Sequence, residues 1–135
     1  MSLLLDVATF TAVLLWGFFL LGLGLTALFA PEVAKRFLLG FAQTARRHFL
    51  EMTCRMIVGA SLLVQAAKLE FSTAVTIFGW ILIATTAVLL IVPWRWHRGF
   101  ADRTVPAAMR YITLIGIAPI LLGIFIITLL LRRFI

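Results

Sequence analysis

Four long apolar runs decide what this chain can fold into. The hydrocarbon core of a bilayer is about 30 Å thick, and about 20 apolar helical residues cross it. Three runs are clear, from about Leu3 to Phe29, from Phe71 to Val92 and from Tyr111 to Leu131. Of the 135 residues, 64% are hydrophobic and only 13% are charged, whereas about a quarter of a soluble domain is charged. We therefore expect a single integral membrane domain, residues 1–135.

The remaining run contains charged residues. Its uncharged core, residues 56–67, is too short to cross a bilayer, and extending it back to about Arg47 brings in Glu51 and Arg55. These two lie four residues apart with the acid first, the favourable order for an ion pair on one helix face. We interpret them as a structural pair or, alternatively, as a gate or substrate contact, since ionisable groups within spans are often functional. With this run included, the predicted fold is an all-α bundle of four transmembrane helices.

Polar and small residues within the spans predict helix contacts. Gln65 is the most polar of the uncharged side chains there and is expected to face another helix. Glycines let helix backbones approach closely, and we expect that role for several of them: Gly17, Gly22, Gly24, Gly59, Gly116 and Gly123. Cys54, the single cysteine, lies in an apolar run and is expected to be buried.

Basic residues are distributed unevenly between the two ends of the predicted bundle. Nine lie beside the two long connections of about 17 residues each, and three, Lys68, Arg132 and Arg133, lie at the other end. Cytoplasmic loops are usually the basic ones, so both long connections are expected in the cytoplasm and both termini outside. We expect the membrane to be a bacterial inner membrane. Asp6 is interpreted as a charge at the outer boundary of the first span.

The two long connections combine basic and aromatic residues. In the second, Pro93 ends a span, and tryptophans follow at headgroup depth, where this residue is enriched. In the first, Val33, Phe37 and Phe41 recur at helical spacing and predict an amphipathic helix in the interface. We predict that the connections form a basic, aromatic collar that binds anionic lipid headgroups or a partner protein. The candidate binding residues are Lys35, Arg36, Arg46, Arg47, Trp94, Arg95, Trp96, Arg98 and Arg103.

The two halves of the chain share a residue pattern. Pro31 and Pro93 are each followed, four and five residues later, by a pair of basic or histidine residues and then by the tripeptide Gly-Phe-Ala. We interpret residues 1–69 and 70–135 as candidate tandem repeats. A two-helix unit returns to its starting side, so the copies would be parallel and related by an axis along the membrane normal.

The entry to the second span of each half adds to this pattern. An arginine precedes a glycine there, Arg55 before Gly59 and Arg110 before Gly116, and Trp94 follows the proline of the second half. With these features, each half resembles uncharacterised two-helix bacterial inner-membrane proteins. The resemblance covers most of both halves. It implies a two-helix hairpin as the structural unit and no particular activity.

Residues suited to chemistry are few. His48 and His97, the two histidines, fall on the same predicted side of the membrane, where they could approach one another. We interpret them as interfacial polar residues, with a haem-ligating pair as the alternative. A zinc site needs three or four ligands, and no cluster in the sequence supplies them. No catalytic residue, cofactor or metal site is therefore predicted.

These features favour a non-enzymatic membrane component, an accessory or scaffold protein. As partners we expect anionic lipids and either further copies of the chain or a larger membrane complex. The net charge of +7 does not indicate nucleic acid, because the basic residues flank apolar runs. The alternative is a small oligomeric transporter or channel subunit, which should have a hydrated cavity reached by Glu51, Gln65 or Thr85. A third hypothesis is an enzyme that acts on lipid headgroups.

Overall fold

Start signals in the sequence set the helix boundaries. The Ser2 hydroxyl accepts a hydrogen bond from the Leu5 N–H, and the Thr44 hydroxyl accepts one from the Arg47 N–H. Pro31 begins another helix, at a position where its missing N–H costs nothing. The computed structural model describes residues 1–135, and its helices are α1 (Leu3–Phe29), α2 (Pro31–Ala42), α3 (Ala45–Ala66), α4 (Ser72–Ile91), α5 (Trp94–Ala108) and α6 (Ile112–Arg132).

Four of these helices, α1, α3, α4 and α6, are long and apolar enough to cross a bilayer. This confirms the all-α fold with four candidate spans. The second connection is more helical than the sequence indicates. It forms α5, which continues through a 3₁₀ turn, Met109–Tyr111, directly into α6. Pro93 caps α5 rather than leading into a loop. The helix expected in the first connection is present as α2.

Glycines hold two pairs of spans close together. On α1 and α6, a Cβ added to Gly24 would lie 2.5 Å from the carbonyl oxygen of Gly116. On α3 and α4, a Cβ added to Gly79 would lie 3.2 Å from the carbonyl oxygen of Gly59. Gly22, expected in a helix contact, has no atom within 4 Å of its would-be Cβ. The helix pairs α1–α6 and α3–α4 are therefore in backbone contact, as small residues permit.

The two close pairs join through α1 and α3, and α2 packs against α5. Apolar side chains from all four spans, and Leu69 from the turn between α3 and α4, form the core where the pairs meet: Val13, Leu20, Leu62, Ala66, Leu69, Val75, Ile126, Leu129 and Leu130. Every buried side-chain nitrogen and oxygen has a hydrogen-bond partner. The bundle centre is thus packed with apolar side chains and leaves no buried polar group unsatisfied.

The chain direction puts α2 and α5 at one end of the bundle and both termini at the other. We call the first end the collar; it comprises α2, α5, the 3₁₀ turn Met109–Tyr111 and the first three turns of α3, up to Arg55. At the opposite end, α3 turns into α4 at Phe71, whose φ of 59° is left-handed and uncommon for a bulky residue. Cys54 is exposed on the outer surface rather than buried, because α3 turns this face away from its neighbours.

Candidate functional site

The collar brings together all nine residues predicted to bind headgroups. Lys35 and Trp94 are half-buried, and the others are exposed: Arg36, Arg46, Arg47, Arg95, Trp96, Arg98 and Arg103. They occupy three different elements, α2, α5 and the start of α3, whose mutual packing holds them at one end. The Arg95 guanidinium lies 5.9 Å from the centre of the Trp94 ring, a cation–π distance. What binds to these residues remains a prediction.

Ion pairing differs sharply between the two ends. At the end with the termini, each of the three basic side chains has a carboxylate partner: Lys68 and Arg133 pair with Asp6, and Arg132 pairs with Glu70. At the collar, only Arg55 and Arg98 of nine basic side chains have one. The collar carries three acidic side chains and the opposite end two, so their net charges are +6 and +1. The collar is therefore the end with uncompensated positive charge.

His48 and His97 meet within the collar, on the common side where the sequence places both. Their Nδ1 atoms are 2.8 Å apart, one donating to the other according to the tautomers of the two rings. His48 is only 1% exposed, and its ring also packs edge-on against Phe49. The contact satisfies a buried polar atom and holds α5 against α3.

Glu51 and Arg55 form the predicted ion pair, one turn farther along α3. Arg55 Nη1 donates to Glu51 Oε1 at 3.3 Å, and Arg55 Nε donates to the Thr86 hydroxyl at 3.3 Å. Thr86 lies on α4, so the pair also links two spans. Its side chains remain about a quarter to a third exposed, 24% for Glu51 and 34% for Arg55. Arg55 thus has bonding partners on both helices.

A small cleft opens between α2, α3 and α5 next to these residues. Its volume is about 170 Å³, and Glu51 and His97 are its ionisable lining groups. Burial lowers the pKa of His97 from its ordinary value, and His48 and Arg55 lower it further, while the negative charge of Glu51 opposes them. Most of the lining is apolar, including Leu38, Phe41 and Phe100. Neutral His97 is therefore favoured in the folded protein.

A second polar cluster closes the opposite end of the bundle. Asp6 accepts hydrogen bonds from Arg133 through both carboxylate oxygens, from Lys68 at 2.7 Å and from Gln65 at 3.0 Å. Gln65 is fully buried, donates to the Thr9 hydroxyl and accepts from Arg133. As predicted, Gln65 faces another helix. Asp6, interpreted as an isolated boundary charge, instead joins α1, α3 and the end of α6.

The geometry defines a class: an all-α bundle with four candidate membrane spans, one cation-rich end and one end closed by ion pairs. Comparison of the chain with protein-family models, with curated proteins and with solved structures found no match.

Proposed function

We propose that the protein is a non-enzymatic integral membrane component whose collar binds anionic lipid headgroups and anchors the bundle as an accessory or scaffold protein. The observation that carries this proposal is the difference in ion pairing between the ends. Cations at the end with the termini are neutralised within the molecule, whereas most at the collar have no carboxylate partner. Unpaired cations beside a span attract anionic headgroups with about 1 kcal/mol each.

The same asymmetry supports an orientation. Excess basic charge is a feature of cytoplasmic loops, so we place the collar on the cytoplasmic side of a bacterial inner membrane and both termini outside. Trp96, which is 72% exposed, then lies at headgroup depth, where its indole N–H reaches water or lipid. Anionic lipids on that leaflet are the natural partners of the collar.

The positions of the polar residues favour this function over the transporter alternative. A pathway through the bundle would need polar groups that line it, yet Gln65 is fully buried and bonded to its neighbours. Thr85 is exposed on the outer surface and donates to the Ile81 carbonyl at 2.8 Å. Glu51 lines the cleft between α2, α3 and α5 rather than the bundle centre. Gln65 thus joins helices, and Thr85 and Glu51 lie away from the bundle centre.

Lipid retention tests the proposal. The purified protein is titrated with phosphatidylglycerol and, separately, with phosphatidylcholine, and bound lipids are counted by native mass spectrometry. Arg46→Gln, Arg95→Gln and Arg103→Gln each remove a collar cation that has no carboxylate partner. At about 1 kcal/mol per cation, each change should weaken phosphatidylglycerol binding about fivefold, and the triple variant should lose most of the preference for this lipid.

The matched control is Arg132→Gln, which removes an exposed arginine already paired with Glu70 at the opposite end. It should bind phosphatidylglycerol as the wild type does. Equal binding by the triple variant and the wild type would overturn the proposed function, as would a loss in the control as large as that in a collar variant.

A further inference from the structure

A groove on the outer surface separates α1 from α2. Its volume is about 280 Å³, and its lining residues are Phe19, Gly22, Leu23, Thr26, Val33, Ala34 and Phe37. The rings of Phe19 and Phe37, one from each helix, have centroids 6.0 Å apart. Because α1 is a candidate span and α2 belongs to the collar, the groove runs from the apolar surface toward the cationic end.

The groove offers apolar surface and no unsatisfied polar side chain. Thr26, its one polar lining side chain, donates its hydroxyl hydrogen to the Gly22 carbonyl at 2.7 Å. The groove is open beside Gly22, since a Cβ there would meet no atom within 4 Å. A glycine in mid-helix costs about 1 kcal/mol relative to alanine, and the open space beside Gly22 shows that no close helix contact requires it. An apolar, flexible occupant fits this shape.

One cation stands beside the groove on the helix that forms the second wall. Arg36 is exposed, follows the lining residue Val33 by three positions on α2 and so shares its side of the helix, and has no carboxylate within 4 Å. Arg36 uses its Nε to donate to the Glu32 carbonyl, which leaves its terminal N–H groups available. An apolar groove next to a cation without an acidic partner complements a molecule that joins a hydrocarbon chain to a phosphate.

We propose that the α1–α2 groove binds an acyl chain of one anionic phospholipid and that Arg36 binds its phosphate. The proposal rests on the lipid-binding function proposed above and deepens it by assigning a single site. Its phosphate ligand differs from the three arginines whose removal tests that function. The positive charge of the collar as a whole attracts many headgroups, whereas this site binds one lipid through both its acyl chain and its phosphate.

Gly22→Leu tests the site directly. The Cβ of the new side chain would meet no atom within 4 Å, and leucine forms helix better than glycine, so the bundle should fold while the side chain fills the groove. Gly99→Leu is the matched control, because Gly99 also has no atom within 4 Å of its would-be Cβ and does not line the groove. Native mass spectrometry of the full chain with phosphatidylglycerol should show one lipid held more tightly than the rest. Gly22→Leu should weaken that lipid by about tenfold or more, and Gly99→Leu should leave it unchanged.

The variant Arg36→Gln separates the headgroup from the chain. It should lose the preference for phosphatidylglycerol over phosphatidylcholine at the tight site while still retaining a lipid there. Wild-type binding of phosphatidylglycerol by Gly22→Leu would overturn the groove assignment even if the triple collar variant behaved as expected. A wild-type dimer that dissociates in Gly22→Leu would also overturn it, since the occupant would then be a second copy. An unchanged headgroup preference in Arg36→Gln would overturn the phosphate assignment.

Discussion

The contact between His48 and His97 limits how many protons the two rings can carry. A hydrogen bond between two Nδ1 atoms needs one N–H donor and one lone pair, so the doubly protonated state cannot keep it. Burial also lowers the pKa of His97 below its ordinary 6.5 in the fold. As the pH falls, the unfolded chain therefore takes up this proton first. The stabilisation is present above pH 6.5 and is lost as the pH falls through the lowered folded-state pKa.

We accordingly expect the apparent Tm of the purified protein to fall as the pH drops from about 7 toward about 5. In His97→Gln, an uncharged amide replaces the ring and cannot titrate, so the Tm should change less over the same range. Wild type and variant contain the same carboxylates, so a difference between their Tm profiles reports the titration of His97. Parallel Tm profiles for wild type and variant would show that the pair does not couple protonation to folding.

Asp6 contributes to stability in a different way, because its carboxylate has three cross-helix partners, Gln65, Lys68 and Arg133. Asp6→Asn removes the charge that both cations pair with and should lower the apparent Tm. Glu70→Gln removes a carboxylate that has only Arg132 as partner in an exposed pair, and such pairs contribute little. A Tm loss in Glu70→Gln that equals the loss in Asp6→Asn would contradict the importance of the cluster.

At the scale of helices, the α1–α6 contact depends on the absence of side chains. In Gly24→Ala the new methyl group would lie 2.5 Å from the Gly116 carbonyl oxygen, so the helices must move apart. Overpacking of this kind costs about 1–3 kcal/mol. Gly22→Ala, two residues earlier on the same helix, gains the same helix propensity and meets no atom. Unfolding in a denaturing detergent should show that Gly24→Ala is less stable than wild type and that Gly22→Ala is at least as stable. Equal stability of the two variants would refute the close contact.

The spans could be predicted from the sequence because long apolar runs are a strong signal. The first was placed at its observed limits, Leu3–Phe29, and the third and fourth within one residue of theirs. Helix neighbours could not be predicted, because a span that faces lipid is apolar all round and has no stripe that marks its buried face. Gly22 and Gly24 illustrate this: both are glycines on α1, and only Gly24 touches another helix.

The polar sites were predicted in part for a similar reason. Glu51 and Arg55 are four residues apart, so local helix geometry is enough to pair them. His48 and His97 could be brought together from topology alone, since both lie on the same predicted side. The Asp6 cluster has no local signal, because its partner Arg133 is 127 residues away. The predicted topology does put the start of the first span, with Asp6, and the end of the fourth span, with Arg133, on the same side of the membrane.

For the whole molecule, the proposed orientation predicts which end reacts from outside the cell. In a Cys54→Ser background, single cysteines at Arg36 and Arg98 lie on the exposed collar, and one at Glu70 lies at the opposite end. A membrane-impermeant thiol reagent added to intact cells should label position 70 and spare positions 36 and 98. All three positions should react after the cells are opened. Labelling of 36 and 98 on opposite sides would contradict the four-span topology, and labelling of both from outside would reverse the orientation.

The tandem duplication also remains a prediction at this scale, and the helix packing is in keeping with it. Each close pair joins the first span of one half to the second span of the other, α1 with α6 and α4 with α3. Gly17 and Gly79, which lie at matching distances before Pro31 and Pro93, both occur in these contacts. Exchange of helices between two parallel hairpins would produce this arrangement.

The pairing of α1 with α6 also sets the order of events during synthesis. Because α1 is synthesised before α6, Gly17 and Gly24 lack their principal helix neighbour until residues 112–132 arrive. Formation of α1 and completion of the bundle are consequently separated in time. A nascent chain interrupted before α6 keeps the glycine face of α1 unmatched.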